Sequence, residues 1–395
     1  MVKRNFNEVT GFSLYCGDDA SLFLPTAIMQ EVEEQAQAAL IARVQEEANR
    51  KQAVADEAEM KKQRQQGSST EKVPKFEPGA RGIEILTPSA MSDFQDNVYR
   101  LDSVQKQTVK RISDKFDSNK NRYRTIPAIK SADILALAAQ FENMAEPIKQ
   151  LASEVALMNR LPAKDFQITP ILLLGGPGIG KTAFAMALSK TLGVPFKKIS
   201  GAEPSFALSG SHPTWTKSAP GIVMEHLALH DCAAPLFLVD EVDKPSGDRY
   251  PLSSALLNLL EPENATTFQD EFFQVNLNAR HAIWILTANT TESVSAPLLS
   301  RMNVFNIPSP GIQQRCRIIE ADLEKLRTRT GADVKAAEGE VRLLAGLANL
   351  DLRQITRIVR DGFIAALGQE HRHLIFDVLG HIQWEASGAG NVTLH

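Results

Sequence analysis

The stretch Leu172–Leu188, LLLGGPGIGKTAFAMAL, runs from continuous apolar residues through a glycine-rich turn into an alanine-rich helical pattern. A short, wholly apolar run reads as a strand covered on both faces. In the turn, Gly175 is followed after four residues by Gly180, Lys181 and Thr182. Glycines let successive backbone N–H groups curl around phosphate oxygens, and the amino end of the next helix adds a favourable dipole. Lys181 then reaches the β and γ phosphates, and Thr182 offers a hydroxyl to a magnesium ion. The expected cradle is Gly175, Gly176, Pro177, Gly178, Ile179, Gly180, Lys181, Thr182 and Ala183. A chance glycine turn would lack the strand before it and the helix after it.

Working outward, the runs ILLL at Ile171, FKKIS at Phe196, LFLV at Leu236, IWIL at Ile283 and VFNI at Val304 alternate with helical patterns. That alternation predicts an α/β fold with a parallel sheet over 162–309. Beyond Pro310 the pattern is purely helical, which predicts a small helical domain over 310–383. The run LFLVDEVDK ends in Asp240 and Glu241. An acid at a strand's carboxyl end can reach a metal beside the phosphate loop, and the next acid can orient water and accept its proton. Asn289 ends another strand in IWILTANT, where a neutral amide can hold water or phosphate in line; turn formation is the plain alternative. Arg301 precedes the last strand run, and Arg353 opens a helix in the final region, where a surface ion pair is the plain alternative.

In this order, the phosphate loop, acidic strand end, polar sensor, arginine and helical arginine resemble those of AAA+ ATPases. The words LLEPENATTF and APLLSRM make the region from Phe166 to Ile382 similar to the ATPase module of Lon proteases. The resemblance implies a P-loop NTPase (AAA+) parallel sheet flanked by helices, followed by a small all-helical lid domain. It implies ATP and Mg²⁺ as cofactors, with Lys181 and Thr182 at the phosphates and Thr182 and Asp240 on the metal. Glu241 would be the catalytic acid, Asn289 the first sensor, Arg301 a finger acting on a neighbour's nucleotide, and Arg353 the second sensor. A finger working in trans implies a homo-oligomeric ring, most simply a hexamer; a protein client is expected, with a nucleic-acid-linked ATPase acting through 100–124 as the alternative. Lon proteases continue into a peptidase domain, but fewer residues follow Arg353 than the roughly 50 a domain needs, so no peptidase activity is expected. Residues 384–395 read as a flexible tail.

The amino-terminal third does not resemble the Lon substrate-binding region. Residues 27–66 lack Gly and Pro and predict one long helix within an amino-terminal region 1–88 that ends in a linker. Its alanine-rich pattern keeps no sustained heptad, so a solvated arm or weak oligomer contact is favoured over a zipper. A helical region is expected over 89–161. In it, Leu101, Val104, Thr108, Ile112 and Phe116 fall on one helical face, as do Leu135, Ala138, Phe141 and Met144, and Pro147 starts a further segment. The segment 100–124 is the most basic of the chain; its charges read as a solvated face, with a nucleic-acid contact as the alternative.

The 395 residues are 43% hydrophobic and 23% charged, an ordinary globular composition with room for two or three domains. A net charge of −4 gives no global attraction to nucleic acid or anionic membrane. Cys16, Cys232 and Cys316 are widely spaced and odd in number, which suggests neither a disulfide framework nor a zinc cluster and fits a reducing cytoplasm. No apolar run reaches the roughly 18 residues of a membrane span. Trp215 stands among small and polar residues in SHPTWTKSAPG, where composition favours burial. Aligned from APG backwards, this stretch resembles the loop that carries an aromatic residue into the pore of Lon-like motors. The basic residues usual there are replaced by Ser211, His212 and Pro213. Trp215 is therefore expected to contact the client rather than the core.

Overall fold

The computed structural model describes residues 12–16, 21–25, 82–116, 122–244, 250–347 and 349–368. The expected helix 27–66 and tail 384–395 lie outside the described residues. The chain divides into two units, Met1–Lys75 and Phe76–His395. In the first, β1 (Phe12–Cys16) pairs antiparallel with β2 (Ser21–Pro25), a hairpin the sequence reading did not foresee.

The second unit opens with β3 (Gly82–Glu84), α1 (Pro88–Arg100), α2 (Ser103–Ser113) and β4 (Tyr123–Thr125), β3 and β4 pairing antiparallel. Helices α3 (Ser131–Ala136) and α4 (Ala145–Met158) follow, with Pro147 in the first turn of α4, where a missing N–H costs nothing. The sheet is then laid down as β5 (Ile171–Leu174), α5 (Lys181–Leu192), β6 (Phe196–Ser200), α6 (Ile222–Leu229) and β7 (Leu236–Asp240). After α7 (Leu252–Leu259), a small antiparallel pair β8 (Phe268–Asp270) and β9 (Val275–Leu277) precedes β10 (Ile283–Ala288) and β11 (Asn303–Asn306). Helices α8 (Ile312–Thr330), α9 (Glu338–Gly346) and α10 (Leu352–Gly368) close the described chain.

The five strands form one parallel sheet in the order β11-β5-β10-β7-β6. Central strands β5, β7 and β10 are almost wholly buried, whereas the edge strands β6 and β11 expose alternate residues. This is what continuous apolar runs in the centre and mixed runs at the edges require. Leu174 pairs with Ala288, and Asp240 with Ser200, so the carboxyl ends line up where open α/β sheets bind ligands.

Buried residues from Ile83 to Ile307 form one hydrophobic cluster, so α1 to α4 share the core of the sheet. A second cluster, from Ile319 to Ala366, holds α8, α9 and α10 together. Two expected helix faces need correction. Val104 is 71% exposed and Leu101 caps α1, while Val109 and Ile112 are buried. The reason is a capping box at Asp102 and Gln105, which starts α2 afresh and resets its register. Leu135 is likewise exposed while Ile134 and Leu137 are buried, because α3 ends after six residues in a tighter 3-10 turn.

Candidate active site

The turn after β5 needs its glycines for steric reasons. Gly178 and Gly180 adopt φ of 68° and 99°, a region costly for other residues. A Cβ on Gly178 would also meet the side chain of Asp351, just before α10. Leu352 N–H donates to Gly178 C=O at 3.1 Å, so the helical region closes directly on the loop.

Between loop, sheet and helices lies a cavity of about 860 Å³. Pro177, Gly178, Ile179, Gly180, Lys181, Thr182, Ala183, Asp240, Glu241, Asn289 and Arg353 all line it. Gly175 and Gly176 take part through their carbonyls, which accept from Lys181 Nζ together with Ala288 C=O at 3.2 Å. Burial lowers the Lys181 pKa, and the charges of Asp240, Asp243 and Glu241 act against that. Asp240 shows the opposite balance. Burial pushes its pKa up, yet bonds from Lys198 and Thr287 hold it below the usual value. Thr287 Oγ1 donates to its Oδ1 at 2.5 Å, Lys198 Nζ lies 2.6 Å from Oδ2, and Thr182 Oγ1 is 3.4 Å from the same oxygen.

Glu241 leaves the strand at φ 60°, an uncommon conformation for a residue with a side chain. Thr287 Oγ1 accepts its backbone N–H at 2.9 Å, and Gly201, with no Cβ, admits its carbonyl. The Glu241 carboxylate pairs with Lys244 at 2.7 Å. Asp243 Oδ2 accepts from the backbone N–H of Asn289 at 2.9 Å and of Thr290 at 3.3 Å, which orients the Asn289 turn.

Arg301 is not on this cavity. Its Nε and Nη2 meet Glu261 Oε2 at 2.7 and 2.5 Å, and Nη1 donates to Pro297 C=O at 2.7 Å. Trp215 does not line it either and is 46% exposed. Its ring lies 6.1 Å from that of Phe206 and 5.9 Å from that of Tyr250, both partly exposed themselves.

Sequence reasoning missed Lys198, Thr287 and Asp243, and it missed the cavity wall built by Phe141, Asn143 and Gln314. Asn143 Nδ2 donates to Ile179 C=O at 3.1 Å while its Oδ1 accepts from Gln314 Nε2 at 2.8 Å. Polar residues at strand ends, as in FKKIS, LTAN and DEVD, were the available signal for the first three. Among the described residues, the basic segment 100–124 is not one charged face. Arg124 is buried and donates to Leu227 and Ala228 C=O at 2.6 and 3.0 Å, Arg122 pairs with Glu84, and Lys106 lies over Tyr99.

Residues 171–308 match the family described as ATPase family associated with various cellular activities (AAA). Lon protease of Treponema pallidum (strain Nichols) is 34% identical over 165 residues, which cover 41% of this chain and 19% of that protein. The chain carries an AAA+ module of the Lon type. Lon protease of Heliobacterium modesticaldum is 32% identical to it over 218 residues, 52% of this chain and 27% of the relative. The chain thus spans well under a third of the length of these curated relatives. Among solved structures, the S. cerevisiae Hsp104:casein complex in its extended conformation covers 60% of this chain and 47% of that chain, with a TM-score of 0.49 and 16% identity. Among the described residues, no helix is long and apolar enough to cross a membrane.

Proposed function

We propose that the chain is a Lon-type AAA+ ATPase that hydrolyses ATP in a ring, most simply a hexamer, and uses the energy to remodel or translocate a protein client. The observation that carries this reading is the single cavity onto which the phosphate loop, Asp240, Glu241, Asn289 and Arg353 converge. Loop amides and Lys181 bind the phosphates. Lys181 Nζ, now shared among carbonyls, gains a stronger charge-assisted partner when it turns to phosphate oxygen.

The donor set suits magnesium, a hard cation that takes oxygen ligands. Thr182 Oγ1 and Asp240 would hold it, and it would neutralise charge on the phosphates. Among the described residues no group of three or more His, Cys, Asp or Glu side chains is placed to hold a metal. Phosphate oxygens and water would complete its shell. Glu241 is the base that accepts the proton of the attacking water, with Thr287 fixing its backbone. Asn289 holds the water in line, and Arg353 senses the γ-phosphate from α10. Arg301 stabilises charge on a neighbouring subunit's nucleotide, which fits its position off the cavity. Trp215 grips the client. Residues 82–368, where described, build the nucleotide module and its helices, and the reading includes no peptidase chemistry.

Glu241→Gln tests the assignment. It should retain ATP and lose turnover by about a hundredfold or more, read by filter binding and phosphate release. Normal turnover would refute the role. Lys181→Ala should lose ATP binding itself. Stimulation of the ATPase by unfolded casein, and none by DNA or RNA, is the expected client signature. Salt-sensitive stimulation by nucleic acid would overturn the protein-client reading.

A further inference from the structure

The loop that presents Trp215 is closed at its base within the module. Ser211 N–H donates to Ala219 C=O at 3.0 Å, Ala219 N–H to Ser211 Oγ at 2.9 Å, and Gly221 N–H to Asp270 Oδ2 at 2.8 Å. Nearer the tip, the loop is held by a residue from outside the region 171–308. Gln105, in the first turn of α2, donates from Nε2 to Pro213 C=O at 2.8 Å, and the same nitrogen lies 3.4 Å from Ser218 Oγ.

The same side chain also closes its own helix. Gln105 N–H donates to Asp102 Oδ1 at 2.8 Å, and Gln105 Oε1 accepts from Asp102 N–H at 3.2 Å. A carboxamide alone among the side chains of this length accepts at one end and donates at the other, so both tasks are met at once. The loop has reason to need a brace. Lys217, between Trp215 and Ser218, sits at φ 62°, a conformation that persists only where surrounding contacts hold it.

We infer that Gln105 is a positioning residue for the Trp215 loop, through which the helical region 88–116 sets the geometry of client engagement. This rests on the reading of Trp215 as the client contact. The bond from Nε2 bridges 108 positions of chain, whereas the helix cap is local.

Gln105→Glu separates the two tasks. Glu keeps the acceptor that closes the capping box and removes the donor that reaches Pro213. In the full chain, tryptic cleavage after Lys217, followed by mass spectrometry, should speed up about five- to tenfold, the loss of roughly one part-buried hydrogen bond. The melting temperature should stay within a degree or two, because the cap survives. The stimulation of ATPase by unfolded casein, taken as a ratio to the basal rate, should fall several-fold. Unchanged cleavage after Lys217 would overturn the inference. Faster cleavage with undiminished stimulation would overturn it as well, provided Trp215→Ala abolishes stimulation. If Trp215→Ala itself leaves stimulation intact, the client-contact reading fails, and the proposed role of Gln105 in client engagement fails with it.

Discussion

Asp270→Asn should remove a pH dependence of stability that is set at the base of the Trp215 loop. Asp270 is fully buried, and its three hydrogen bonds come from main-chain amides: Gly221 at 2.8 Å on Oδ2, and Phe272 and Phe273 at 3.1 and 2.9 Å on Oδ1. Burial pushes its pKa up from 3.8 to about 7, against the pull of those amides. The folded protein therefore binds this proton more tightly than the unfolded chain does. Between about pH 4 and pH 7 the stability contributed by the bound proton drains away as pH rises, and above pH 7 it is gone. A pKa unit is worth about 1.4 kcal/mol, so the loss from pH 5 to pH 8 comes to about 3 kcal/mol. Asparagine cannot titrate, and its amide NH₂ would face the Gly221 N–H or the Phe272 and Phe273 N–H groups. One buried pairing is lost at every pH, about 1–3 kcal/mol. Urea unfolding of both proteins, followed by circular dichroism at pH 5, 6, 7 and 8, separates the two effects. The advantage of the wild type over the variant should shrink by about 3 kcal/mol across that range. A gap that is flat or widens with pH would show that the amides, not burial, govern this carboxyl, and the reasoning would be wrong.

Arg301→Ala should cut ring ATPase by about a thousandfold while leaving ATP binding in place, and mixing with Glu241→Gln subunits should restore part of the activity; no recovery in mixed rings would argue against action across a subunit boundary. Glu261→Gln keeps one acceptor for the Arg301 guanidinium and should cost less than about tenfold in turnover, since the two charge-assisted contacts of Nε and Nη2 are weakened rather than removed. A loss as large as that of Arg301→Ala would give Glu261 a heavier part than holding the arginine. Cys232 is buried with its thiol pushed up to about 11, so alkylation at pH 8 should mark the half-buried Cys316 well before Cys232; peptide mapping in which Cys232 reacts first would contradict the burial.

The phosphate loop was legible because its chemistry is local. Glycines, lysine and threonine at fixed spacing carry their own geometry, and a run such as Leu172–Leu174 needs no distant residue to read as a buried strand. Glu241 and Asp240 were legible because they end such a strand. The helix faces of the amino-terminal part were misread where a cap intervened. Val104 continues an apolar period on paper, but the capping box of Asp102 and Gln105 restarts the helix and turns it to solvent.

What the sequence determined by itself is the parallel sheet, the loop that follows its first strand, and the acids and amide at the strand ends, all set by short-range patterns of polarity and backbone freedom. The tertiary structure alone decided which groups serve them. Thr287 reaches Asp240 across 47 positions, Thr182 approaches it across 58, and Gln314 supports Asn143 across 171. It also decided that Trp215 stands half exposed beside Phe206 and Tyr250, on a loop braced by Gln105. Periodicity encodes which face of an element is apolar; which elements meet follows from how the buried faces close on one another, and that is where these partners were chosen.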